Sequence, residues 1–178
     1  MTTYVALLRG VNLGASRAVS MPRLVELGAG LGYEGVWTYL RTGNLVLSTT
    51  KAARTVEREV AQALAEEYGT PVDVTVRTAG QLREALEANP FPDASSSRAT
   101  LTFLTGDAPA GLEERLARTA TEAEPYEVRG REVWVVFGDG QARSRLAAGL
   151  SRVLGVSATT RTVGTLARLV AGIDKRAG

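Results

Sequence analysis

Residues 4–12 of the chain read Tyr-Val-Ala-Leu-Leu-Arg-Gly-Val-Asn. The run from Tyr4 to Leu8 is apolar at every position and stops at Arg9, where a loop rich in Gly, Asn and Ser begins. Because successive side chains of a strand point to opposite faces, a strand at 4–9 would be apolar on both faces. The pattern predicts a central strand that is covered on both sides and whose end carries polar residues to one rim of the fold.

The residues that follow predict a split β-α-β unit. Ser20 and Pro22 favour a helix start, and Thr42-Gly43-Asn44 predicts a tight turn between two strands. The expected elements are a strand at 4–9, a helix from Ser20 to Gly32, strands at 35–40 and 45–49, a helix at 52–68 and a strand at 72–77. This order is that of the ferredoxin-like fold.

The second half of the chain begins with the same element order. We expect a strand at 99–105, a helix at 110–119, strands at 125–129 and 132–137, and helices at 142–154 and 163–172. The last strand of this half is expected to be missing or very short, near 156–160. The sequence therefore predicts an α+β fold with two ferredoxin-like subdomains at 1–78 and 99–178, joined by a helix and a Pro/Ser-rich linker at 79–98.

Composition limits the chemistry of this chain. It has 178 residues, a net charge of +2, and neither Cys nor His. His-based triads, thiol chemistry and Cys/His zinc sites are thereby excluded, and acid–base chemistry would fall to Asp, Glu, Tyr or Lys, such as Tyr39 or Lys51. We expect no cofactor and no metal, and we lean against an enzyme.

Because no apolar run approaches the ~20 residues of a membrane span, we expect a soluble cytoplasmic protein without membrane contact.

Two polar turns are expected to meet at one rim. In the split unit, the end of the first strand and the turn between the second and third strands lie at the same edge. Arginines with glycine-rich turns suit a phosphate, a carboxylate or a nucleotide. The candidate ligand-binding residues are Arg9, Gly10, Asn12, Gly14, Arg41, Thr42, Gly43, Asn44 and, from the other half, Arg161.

A purely structural interpretation of the same residues stays open. Gly43 and Asn44 are typical of a hairpin turn, and Gly10 and Gly14 of positive φ. Asn12 would then hold its own loop, and the arginines would pair with internal acids such as Glu34.

The opening motif resembles a known bacterial family. Residues 4–14, then Met21 and Leu24, then 38–46, with the later landmarks 89–91 and 158–161, are similar to the signature of domain of unknown function 1697. The resemblance implies an α+β fold of two ferredoxin-like subdomains, and it implies no activity, substrate or catalytic residue. Two departures are Ala15, where the family usually has a second Gly, and Thr162-Val163, where it usually has Asn-Trp.

The favoured function is a binding module for a small anionic ligand, a nucleotide or a phosphorylated metabolite, at the Arg/Gly/Asn rim. Nucleic-acid binding is the weaker alternative, because the strands offer few exposed aromatics and the net charge is small. A structural or oligomerisation role is the other alternative, since the two-sided apolar strands need a second cover from the other half or from a second subunit. The protein would be a monomer or a homodimer.

Overall fold

The computed structural model describes residues 1–12 and 18–178. Gly14 and Ala15, which the sequence singled out, lie outside the described residues. By compactness the chain divides into one unit of Met1–Arg83 with Gly172–Gly178 and a second unit of Glu84–Ala171. From the sequence we expected a linker at residues 79–98 between two consecutive subdomains. That boundary stays a prediction.

The first half contains four strands and three helices. They are β1 (Thr2–Leu8), α1 (Met21–Gly30), β2 (Glu34–Tyr39), β3 (Asn44–Thr49), α2 (Ala53–Tyr68), β4 (Val74–Thr78) and α3 (Ala79–Glu87). The sheet order is β2-β3-β1-β4, and every neighbouring pair is antiparallel. This is the ferredoxin-like arrangement that the element order predicted.

The second half repeats this arrangement. Its elements are β5 (Ala99–Leu104), α4 (Leu112–Thr119), β6 (Tyr126–Arg129), β7 (Glu132–Val136), a 3-10 turn at Gln141–Arg143, α5 (Arg145–Leu154), β8 (Ala158–Thr162) and α6 (Val163–Ala177). The order β6-β7-β5-β8 is again antiparallel throughout. The mixed α+β fold with two ferredoxin-like subdomains is confirmed.

Two details of the second half differ from expectation. The last strand is neither missing nor shortened, because β8 pairs with β5 over five residues and is as long as β4. Its threonines are β-branched and favour strands, but their low hydrophobicity hid the strand. The helix expected at 142–154 begins later, at Arg145, because Ser144 caps it by accepting a hydrogen bond from the amide of Ala147 at 2.8 Å.

Helix starts follow the predicted capping chemistry. The hydroxyl of Ser20 accepts from the amide of Arg23, and Pro22 occupies the first turn of α1. Gly28 lets α1 approach β2 closely, since a Cβ there would lie 2.8 Å from Cγ1 of Val36. Thr162 accepts from the amide of Thr165 at 3.2 Å and so caps α6.

The central strands of each sheet are buried on both faces, as the two-sided apolar strands predicted. In the first unit, Tyr4, Ala6 and Leu8 pack with the helices, while Val5 and Leu7 on the opposite face are fully buried. In the second unit, the helix-facing core comprises Leu104, Leu112, Leu116, Val133, Val135, Phe137, Leu146, Leu154 and Ala158. The opposite face of that sheet carries the buried side chains of Leu101, Phe103 and Trp134.

Candidate functional site

The end of β1 and the β2–β3 turn are in direct contact. The amide of Leu8 donates to the carbonyl of Gly43 at 2.8 Å, and Nδ2 of Asn12 donates to the carbonyl of Arg41 at 2.7 Å. The two polar segments therefore lie side by side in the first unit. We call residues 9–12 and 41–44 together the rim.

Asn12 holds the rim together. Its backbone is in the left-handed region at φ 57°, which Asn tolerates better than most residues. Its side chain also bridges the loop: Nδ2 donates to the carbonyl of Val19 at 3.0 Å, and Oδ1 accepts from the amide of Val19 at 2.8 Å. With both ends of its amide engaged, Asn12 serves as a brace for the loop.

Gly43 and Asn44 are also used in shaping the turn. Gly43 has φ 79°, and a Cβ there would lie 2.5 Å from Cγ2 of Val11 and 2.8 Å from Cβ of Leu8. Asn44 is fully buried and donates to the carbonyl of Tyr39 at 2.7 Å and to the hydroxyl of Thr42 at 3.1 Å. The structural interpretation thus accounts for these two residues.

The arginines of the rim have different surroundings. The guanidinium of Arg9 pairs with Asp73 at 3.1 Å, and the side chains are 37% and 49% exposed. The expected internal acid is therefore Asp73 at the start of β4, and not Glu34. Arg41 is exposed, and within residues 1–12 and 18–178 its guanidinium has no carboxylate partner. Gly10 is exposed at φ 64°, with no atom of a described residue within 4 Å of a Cβ built on it.

Arg161 lies on β8 in the second unit, opposite Leu101 of the neighbouring strand β5. Burial lowers the pKa of its guanidinium to about 10. Its Nη1 donates to the carbonyl of Thr160 at 2.9 Å. Arg77 occupies the matching place in the first unit: it pairs with Val5 on β4, is buried, and donates to the carbonyl of Val76 at 2.9 Å.

Arg77 was missed from the sequence, although a short internal repeat marks it. Residues 75–82 and 159–166 share the pattern Thr-x-Arg-Thr-x-Gly-x-Leu. In both copies the pattern ends an edge strand and begins a helix. Comparing the two halves residue by residue would have located both arginines and the strand β8.

A second polar cluster lies at the other end of β1, near Tyr4. The carboxylate of Glu59 accepts from the ammonium of Lys51 at 2.8 Å and from the hydroxyl of Tyr33 at 2.5 Å. The hydrogen bond from Lys51, followed by that from Tyr33, lowers the pKa of Glu59. Burial and the Glu59 hydrogen bond raise the pKa of Tyr33. Lys51 is thereby held as one partner of an ion pair.

Other kinds of site find little support in the described ranges. No group of three or more Asp or Glu side chains is placed there to hold a metal ion. Among the large hydrophobic side chains described, Met1 and Leu40 are the exposed ones, and the aromatic side chains of β2, Trp37 and Tyr39, are partly buried. None of the helices described is long and apolar enough to cross a bilayer.

Comparison with known proteins supports the fold and gives a family. A solved structure described as the conserved bacterial protein SP0830 from Streptococcus pneumoniae is similar, with a TM-score of 0.75 and 20% identity over 98% of this chain and 99% of that chain. At that identity the likeness shows the fold alone. No curated protein matches the chain significantly. Residues 1–134 match the model of a family described as Protein of unknown function (DUF1697). Because this match spans most of the chain and includes the opening motif at residues 4–14, the protein belongs to the DUF1697 family.

Proposed function

We propose that this protein binds a small anionic ligand, a nucleotide or a phosphorylated metabolite, at the rim. The observation that carries the proposal is Arg41: an exposed guanidinium without a carboxylate partner among the described residues, at the tip of a turn whose backbone is braced. Guanidinium groups bind phosphate and carboxylate through two parallel hydrogen bonds. We place this activity in the cytoplasm, as the sequence led us to expect.

The rigid backbone beneath Arg41 supports this proposal. Asn12 fixes the carbonyl of Arg41, and Gly43 packs against Leu8 and Val11. A turn that is already ordered loses little conformational freedom when a ligand binds, which favours affinity. Asn12, Gly43 and Asn44 thus act in the proposal as the frame, while Arg9, Gly10, Arg41 and Thr42 face the ligand.

Arg9 adds a second cation that a ligand can recruit. Its pair with Asp73 is substantially exposed on both sides, and such surface pairs contribute only ~0–1 kcal/mol. A phosphate group that replaces Asp73 at Arg9 therefore gives up little from that ion pair. Gly10 is exposed, so its backbone can take part in binding.

A calorimetric screen against nucleotides and phosphorylated metabolites tests the proposal. Arg41→Ala should weaken binding of any hit that occupies the rim by about tenfold or more, since hydrogen bonds to charged groups contribute ~1.5–3 kcal/mol. Arg54→Ala, which removes an exposed arginine on α2, is the matched control and should leave the affinity unchanged. Failure of every compound to bind, or equal weakening by both variants, would refute the proposal.

A further inference from the structure

A cleft in the second unit is formed by segments that are distant in sequence. It has a volume of about 620 Å³ and lies between the end of α4 with its following loop and the segment 139–145 that leads into α5. This volume is in the ~300–1,000 Å³ range typical of small-molecule sites. All of its lining residues belong to the unit of Glu84–Ala171.

Three arginines line the cleft. Arg118 comes from α4, Arg143 from the 3-10 turn, and Arg145 from the first position of α5. In the part of the chain that the structure describes, their guanidinium groups make neither an ion pair nor a hydrogen bond. Among the described residues, these three positive charges are therefore not paired with a carboxylate.

The two carboxylates of the cleft have different roles. Glu124 is buried, and its Oε2 accepts from the amide of Thr121 at 3.0 Å and from the hydroxyl of Thr121 at 3.2 Å. It is thus used to hold the loop. Asp139 is exposed on the cleft wall, and its carboxylate oxygens can accept hydrogen bonds from a ligand's donors.

The walls are tied to each other through the backbone. The amide of Gly138 donates to the carbonyl of Ala123 at 2.9 Å, which joins the segment before Asp139 to the loop that holds Glu124. The amide of Gly140 donates to Phe137 at 2.9 Å, and that of Arg143 donates to Gly140 at 3.2 Å. The bases of the arginine side chains are therefore held in place before a ligand arrives.

We propose that this cleft is a second binding site, for a small phosphorylated polyhydroxyl compound such as a sugar phosphate. The arginines would hold the phosphate, since a planar guanidinium can donate two parallel hydrogen bonds to two phosphate oxygens. The carboxylate of Asp139 repels inorganic phosphate, which has no sugar to offset the repulsion. With a sugar phosphate, the same carboxylate accepts hydrogen bonds from the hydroxyl groups of the sugar. Thr119 and Thr121 line the same cleft; their hydroxyl groups donate to the carbonyl of Arg115 and to Glu124, and their oxygens can accept from a sugar hydroxyl.

Titration calorimetry at fixed ionic strength, with ribose 5-phosphate and inorganic phosphate as probes, tests the site. We expect ribose 5-phosphate to bind saturably and more tightly than phosphate. Arg143→Gln should weaken ribose 5-phosphate by about tenfold or more. Arg152→Gln, an exposed arginine of α5 outside the cleft, should change nothing. Absence of saturable binding, or equal effects of the two variants, would overturn the site.

A second pair of variants tests the ligand class and the independence of the site. Asp139→Asn should weaken ribose 5-phosphate but leave inorganic phosphate equal or tighter, because it removes a repulsive charge. Equal weakening of both probes would overturn the role of Asp139. Arg41→Ala should leave ribose 5-phosphate binding unchanged. Loss of binding in that variant would show that the probe binds at the rim, and would refute the cleft as its binding site.

Discussion

Replacing Gly43 by Ala tests how tightly the rim is built. The residue has φ 79°, and the added Cβ would sit 2.5 Å from Cγ2 of Val11 and 2.8 Å from Cβ of Leu8. An L-residue in the left-handed region costs ~1–2 kcal/mol. Overpacking a well-packed site costs ~1–3 kcal/mol more. We therefore expect Gly43→Ala to lower the free energy of unfolding by ~2–5 kcal/mol.

Gly69→Ala separates these two contributions. Gly69 ends α2 at φ 70°, and no atom lies within 4 Å of a Cβ built there. This variant should lose only the conformational part, ~1–2 kcal/mol. Urea denaturation followed by circular dichroism gives both values under one set of conditions. If Gly43→Ala costs no more than Gly69→Ala, the close packing of the turn on Leu8 and Val11 is refuted.

Three further variants probe other contacts. Asn12→Ala removes the brace between Val19 and Arg41 and should cost ~1–3 kcal/mol in urea denaturation; a cost near zero would show that the loop does not depend on it. Glu59→Gln should destabilise the protein at pH 7 but not at low pH. Because the folded state lowers the pKa of Glu59, its stabilising contribution is present above the usual value of 4.5 and is lost as the pH falls through the folded pKa. A difference from wild type that persists well below pH 4 would contradict this. Arg176→Gln removes a guanidinium 4.1 Å from the centre of the Trp37 ring and should cost ~0.5–1 kcal/mol with a change in tryptophan fluorescence; an unchanged spectrum would argue against the contact.

The fold was largely predictable because local signals agreed with the global arrangement. The two-sided apolarity of residues 4–8 indicated a strand buried on both faces, and Gly43-Asn44 indicated the hairpin. The strand at Ala158–Thr162 was harder to predict, since its stability comes from pairing with β5 and not from its own hydrophobicity. A local pattern does not carry that long-range information.

The contacts of the polar residues were also predictable from the sequence only where they are local. That Asn12 braces a loop was one of two interpretations that the sequence left open, and the contacts with Val19 and Arg41 favour it. The partner of Arg9 was not predictable, because Asp73 lies far along the chain and approaches only when β4 pairs with β1. The cleft with Arg118 and Arg143 likewise requires two segments that sequence spacing does not connect.

Ligand binding at the rim is the central claim, and an NMR titration tests it most directly. Pyrophosphate would be added at constant ionic strength while backbone amide signals are followed in the wild-type protein and in Arg41→Ala. We expect saturable shifts at Gly10, Arg41 and Thr42 in the wild type and their loss in the variant. Shifts that do not saturate, that persist in Arg41→Ala, or that avoid the rim would contradict it.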